Sequence, residues 1–325
     1  VNDRHPGDGV LEDVLRQIRP LYNAPGDRTR ERLEAFLRPR ASGMRHRKNE
    51  SLADYRARLL QAFSGPRWLL LRRMIASDYT GVNEKATEQI NAGLEAAFAA
   101  GFNESAYVMA LSGANMWPIT VLAVAKLLAA GIISLKKRKL KRTKDIAYNS
   151  GRVQSAVLAA IMAGVAIEKL SGSVSEAMSS ARMRETTAYA RAAIYGASDS
   201  GAYYAGLEAE QSGAEIEKTW LAIMDMRVRP SHSNLHGTTI PLHEKFHGYY
   251  GVLRYPHDPE APPQEIYRCR CRMAVHLAGK SPGEYSRRLL PTETAAYQRW
   301  RDRQIRKAGG EVELAKLHER RLKGA

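Results

Sequence analysis

Apolar residues recur at intervals of three and four along most of the first two thirds of the chain, as in SLADYRARLLQAF (51–63), RWLLLRRMIA (67–76) and NEKATEQINAGLEAAFAAGF (83–102). That spacing, with few β-branched runs, predicts a layer of packed helices from Ser51 to about Ser112. A second helical region, rich in Ala, Ser and Gly, is predicted from about Ile146 to Gln211. Its small residues let helices approach closely, and Ser173 followed by Glu176 has the form of a capping box. Residues 1–50 carry the same spacing in GVLEDVLRQIRPLY and DRTRERLEAFLRPR, interrupted by Pro6, Pro20, Pro25 and Pro39. They read as a charged arm of short proline-bounded helices, or as a tail that orders on a partner.

The texture changes at IEKTWLAIMD (216–225). Prolines, glycines and aromatics become dense, and the short runs KTWLAIM, GVLRYP and EIYRCRCRMAV have strand character. A compact strand-containing module is expected over 213–280, after a helical region spanning 51–212. A charged helical tail is expected over 281–325, in the solvated or partner-binding role usual for such helices. The fold class is α+β, mainly helical, with a small mixed module near the C-terminus.

Composition narrows the partners. With 44% apolar residues the chain can bury a core, and 50 Lys and Arg against 34 Asp and Glu leave a net charge of +16. Such an excess favours polyanions or acidic protein surfaces. It is concentrated where Lys136, Lys137, Arg138, Lys139, Lys141, Arg142 and Lys144 supply seven of nine consecutive residues. Cations suit a helix C-terminus, but this number exceeds what capping needs, so the run is expected to contact phosphate or an acidic protein. The apolar stretch Ile119 to Leu135 before it is at the lower limit for crossing a bilayer and carries Lys126 near its middle, so a buried or interfacial helix is expected. The opening VNDRHPGDGV lacks the basic start and apolar core of a secretory signal.

Chemistry-bearing residues gather in DMRVRPSHSNLHG (225–237) and YRCRC (267–271). In extended chain Asp225, Arg227 and Arg229 share a face, which suits a structural lock or an anion clamp. His232 and His236 are expected in a turn-rich loop. Folded against Cys269 and Cys271, that loop supplies the ligand set of a structural zinc site, with His276 also available, although a one-residue cysteine spacing is tighter than usual. The alternative is two half-buried strand cysteines with Arg268, Arg270 and Arg272 pointing away. No nucleophile motif or glycine-rich phosphate loop is present, and PLHEKF with Cys-Arg-Cys fits neither half of a zinc deaminase signature. Neither a small-molecule substrate nor a membrane partner is expected.

The ordered set Lys218-Thr219-Trp220, Asp225-x-Arg227-x-Arg229-x-x-His232, Leu235-His236-Gly237 and Ile266-Tyr267-Arg268-Cys269-Arg270-Cys271 resembles the phage Mu F-like minor head proteins, the phage head morphogenesis domain, over roughly 150–280. ARMRETTAYARA stands where that resemblance implies an Arg-Thr-Glu run, and residues 1–112 have no counterpart. The resemblance implies a non-enzymatic virion component placed inside the capsid near the portal after assembly in the host cytoplasm. Its implied partners are the portal or scaffold and double-stranded DNA bound without sequence preference. Trp220, Asp225, Arg227, Arg229, His232, Gly237, Cys269 and Cys271 then read as a folding signature. The competing class is a phage-encoded nuclease or ADP-ribosyltransferase-like effector, with Asp225, Arg227 and His232 as its catalytic set beside His236 and Cys269.

Overall fold

The computed structural model describes residues 4–137, 139–140, 146–280 and 290–323. The chain divides into two compact units that are discontinuous in sequence. One comprises 1–14, 90–138 and 188–325, and the other comprises 15–89 and 139–187. These units do not follow the four consecutive segments expected from the sequence.

The all-helical unit is built from the greater part of α1 (Asp8–Leu37), a 3-10 turn at Arg38–Arg40, α2 (Ala41–Met44), α3 (Leu52–Ala62), α4 (Pro66–Asp78), most of α5 (Val82–Ala92), α8 (Ile146–Met162) and the beginning of α9 (Ile167–Gln211). Its apolar stripes close on Leu33, Leu59, Phe63, Trp68, Ile75, Val157, Ile161, Leu170 and Val174. Trp68 meets Phe63 edge-on at 4.9 Å and donates its indole N–H to Gln154 at 2.6 Å.

The expected breaks in the N-terminal arm at Pro20 and Pro25 do not occur, because α1 is continuous through both. A proline in a helix frees a carbonyl and crowds the preceding turn. Around Pro25 the helix is also tied by side-chain donors to its carbonyls. Ser179 on α9 donates to the Tyr22 carbonyl, Ser175 to that of Gly26, and Thr29 to that of Pro25, at 3.1, 2.6 and 2.8 Å. Pro39 does end the helix, as read.

The mixed unit is organised around α6 (Leu94–Leu111), which is buried on nearly every face. The expected helix in 119–135 is only nine residues long, α7 (Val121–Ala129), and no helix of the described residues is long and apolar enough to cross a membrane. Residues 114–120 before α7 form neither helix nor strand. Asn103 of α6 serves both groups of Ile119 there, accepting from its N–H at 2.7 Å and donating to its carbonyl at 2.9 Å. The later part of α9 crosses α6 at a glycine-lined contact. A Cβ on Gly101 would lie 1.8 Å from the Ser198 carbonyl oxygen, and one on Gly201 would lie 2.0 Å from that of Phe98.

Three antiparallel strands, β1 (Ile216–Leu221), β2 (Thr239–Pro241) and β5 (Arg272–Leu277), form a sheet in the order β2-β1-β5. Lys218 stands opposite both Ile240 and Val275. A second pair, β3 (Phe246–His247) with β4 (Val252–Leu253), lies between β2 and β5 in sequence. Two short helices, α10 (Pro230–Leu235) and α11 (Pro263–Ile266), occupy the intervening loops.

The tail differs from a solvated appendage. Helices α12 (Ala295–Ala308) and α13 (Glu311–Leu322) bury Tyr297, Trp300, Leu314, Ala315 and Leu322. Inside the core His318 meets Glu208 at 2.5 Å and the Pro118 carbonyl at 2.9 Å. Charge covers their outer faces while every third or fourth position is apolar, which suits docking on a core.

Candidate functional site

After β1 the chain turns at Asp225, whose carboxylate accepts the Arg227 N–H at 2.9 Å. Pro230 then occupies the first position of α10, where its fixed φ is preorganised and its missing N–H costs nothing. The expected turn-rich loop is therefore helical at His232. That imidazole is turned inward, 1% exposed, with its ring edge-on to buried Trp220 at 5.2 Å.

The opposite wall comes from 263–271. Helix α11 fixes Glu265 in the core, and Arg268, a non-glycine residue at φ 61°, reverses the chain so that Cys269 and Cys271 both turn inward. His232 Nδ1 lies 3.4 Å from each sulfur. On its other side Nε2 lies 2.8 Å from Glu265 Oε2, whose second oxygen accepts the Tyr250 N–H at 2.7 Å. A carboxylate only accepts, so Nε2 carries a hydrogen and Nδ1 is the atom presented to the sulfurs. The Cys271 N–H points at Cys269 Sγ, 3.3 Å away. Burial pushes the Cys269 thiol pKa up, and the Cys271 contact adds to this. Burial disfavours charge on His232, but its contacts with Cys269 and Glu265 outweigh that and raise its pKa. Arg227, Arg229, Arg268 and Arg270 line a cleft that reaches His232 and both cysteines.

A second buried group lies beside the first. His257, at φ 60°, places Nδ1 3.0 Å from Asp199 and Nε2 3.0 Å from the Cys269 carbonyl. Both partners are acceptors, so the ring donates from both nitrogens and is an imidazolium. Burial opposes that charge, yet Cys269 and Asp199 raise the pKa to about 10. His5 sits on the other oxygen of Asp199 at 3.3 Å while its Nδ1 accepts the Gly7 N–H, and burial lowers its pKa.

Several residues singled out in the sequence lie elsewhere. His236 Nδ1 accepts the Ala222 N–H at 3.1 Å, and His276 meets Thr219 at 2.8 Å, so neither joins the cysteine cluster. Asp225 pairs with Arg270 at 2.6 Å, which corrects a lock between Asp225 and its neighbouring arginines. Arg229 instead reaches the carbonyls of Glu265 and Tyr267. The cysteines are buried and precede β5, and Arg272 is buried as well, so the half-buried strand pair with three outward arginines does not form. Gly237, at φ 79°, donates its N–H to the Trp220 carbonyl at 2.8 Å, a turn that favours glycine. Among the described residues no hydrogen bond joins the side chains of Asp225, Arg227 and His232 to one another, because the Asp225 carboxylate takes the Arg227 backbone N–H and the Arg270 side chain while His232 faces the core.

In the basic run, Lys136 binds the Pro259 carbonyl at 3.0 Å and Glu260 at 3.2 Å. Lys137 and Lys139 are exposed, while Arg138, Lys141, Arg142 and Lys144 lie outside the described residues. Glu265, His257, Asp199 and His5 were not singled out as site residues from the sequence. The only local signal was an acidic residue four positions before Cys269.

No curated protein and no solved structure matches the chain. Residues 151–274, which carry Asp199, β1, α10, His257, Glu265 and both cysteines, match the family described as Phage Mu protein F like protein. Over those residues the chain is similar to phage Mu F-like proteins.

Proposed function

We propose that this protein is a minor structural component of a tailed-phage virion with a role in head morphogenesis, acting inside the capsid near the portal by contacting packaged double-stranded DNA without sequence readout. The match over 151–274 carries the head role. The DNA contact is supported by the net charge of +16 and by the basic run at 136–144, since each phosphate neutralised by Lys or Arg releases condensed counterions. Portal or scaffold protein is the further partner in this reading, reached through the same cationic surface.

Measuring duplex affinity against salt concentration tests the proposal. Binding should weaken steeply with salt and be indifferent to sequence. Replacing the seven cations of 136–144 by Gln should lower the slope of log K against log salt by as much as about 6, at about 0.9 per phosphate contact. An unchanged slope removes the role given to that run. Absence of both DNA binding and co-purification with portal sinks the reading.

A further inference from the structure

We propose that His232 Nδ1, Cys269 Sγ and Cys271 Sγ are three ligands of one bound divalent transition ion of the zinc class, with its fourth coordination position directed to the arginine-lined cleft. This site is independent of the DNA reading.

Four observations carry it. First, the spacing fits: a tetrahedral ion with bonds of about 2.3 Å to sulfur and about 2.0 Å to nitrogen holds those ligand atoms about 3.5 Å apart. His232 Nδ1 lies 3.4 Å from each sulfur, and all three atoms are within 4.8 Å of one another. Second, Glu265 is completely buried and holds Nε2 at 2.8 Å, the carboxylate contact that orients metal-ligating histidines and strengthens them as donors. Third, the Cys271 N–H directed at Cys269 Sγ compensates charge on a thiolate. Fourth, two thiolates and an imidazole are soft donors that select zinc-like ions over magnesium or calcium.

The same criteria exclude the neighbouring group. His5, Asp199 and His257 are also close together and buried. However, His257 faces acceptors through both ring nitrogens and has no lone pair to offer. A disulfide is a poor alternative use of the cysteines, because bridging residues two apart strains the bond.

Loading costs two thiol protons and any proton on His232 Nδ1, all released to solvent as the ion binds. The ion then ties α10 to the 269–271 segment, two pieces more than thirty residues apart in sequence. The fourth ligand comes from outside the triad, as water or an anion attracted by Arg227, Arg229, Arg268 and Arg270.

Titrating the chelated, reduced protein with cobalt(II) provides the test. The expected result is an end point of one ion per chain, with thiolate-to-cobalt charge-transfer absorption and the intense visible bands of tetrahedral cobalt. Added zinc should displace it. This measurement on the unaltered chain needs no variant to fold. Cys269→Ser and Cys271→Ser should each lose the charge-transfer band or lower affinity at least tenfold, whereas His236→Ala and His5→Ala should leave both intact. Failure of the unaltered chain to take up cobalt with a thiolate band overturns the proposal. So does binding that survives loss of both cysteines or depends on His236.

Discussion

Replacing Gly201 by Ala should destabilise the protein although the residue lies inside α9, where alanine is intrinsically favoured over glycine by about 1 kcal/mol. The new Cβ would stand 2.0 Å from the Phe98 carbonyl oxygen and 2.9 Å from the Phe102 nitrogen. An ordinary carbon to oxygen contact is about 3.3 Å, so the backbones of α6 and α9 must part by about 1.3 Å. Both obstacles are main chain, so no rotamer change relieves them. Overpacking of this kind costs about 3 kcal/mol, and after the helix-propensity gain the net loss should be about 2 kcal/mol. Gly172, also within α9, has no atom from outside its own stretch of helix backbone within 4 Å of its Cβ position. Gly172→Ala should therefore stabilise by about 1 kcal/mol. Urea unfolding followed by helical circular dichroism reads both variants, with separate transitions for the two units fitted separately. A Gly201→Ala protein as stable as the unaltered one would refute the close-crossing argument.

Further tests address buried charge. Lys218 is fully buried, donates to the Arg254 carbonyl at 2.7 Å and lies over the rings of Tyr203 and Phe246, and burial lowers its pKa from 10.5 to about 8. Between those values the unfolded chain holds a proton that the folded one has lost, so stability rises with pH by about 3 kcal/mol across the window. Lys218→Met should abolish that rise, as judged by the difference between the two proteins' unfolding free energies from about pH 7.5 to about pH 10.5; parallel profiles would refute it. His318→Leu leaves Glu208 fully buried with Arg321, at 3.1 Å, as its remaining ion-pair partner, and should cost about 3 kcal/mol in chemical denaturation. A loss below about 1 kcal/mol would show that the tail contributes little to the core.

Much of the fold was legible because helix and strand periodicities are local. The packed helices, β1, the Arg272–Val275 part of β5 and the small-residue character of α9 follow from spacing and residue size. Glycines 196, 201 and 206 show where legibility stops. The sequence gives their spacing, but each meets a different neighbour, namely the His257 carbonyl, the Phe98 carbonyl and Leu242 with Val275. The continuity of α1 was hidden because a proline inside a helical pattern ordinarily kinks or ends it, yet α1 runs through both Pro20 and Pro25. Charge concealed the apolar stripes of α12 and α13.

The sequence by itself determined the helical character, the position of the mixed module, the excess of positive charge and the Cys-Arg-Cys segment. Tertiary structure alone chose His232 over His236 and His276. The choice arises because α10 turns one imidazole inward, while a backbone N–H occupies His236 and Thr219 occupies His276. It also supplied Glu265, for a carboxylate becomes an orienting partner only where the chain buries it within hydrogen-bond reach of a ring. Spacing along the chain sets which residue types are near in sequence, but the geometry of the His232, Cys269 and Cys271 group depends on φ at Arg268, on the turn at Gly237 and on core packing around Trp220. Those are set by contacts among segments far apart in the chain.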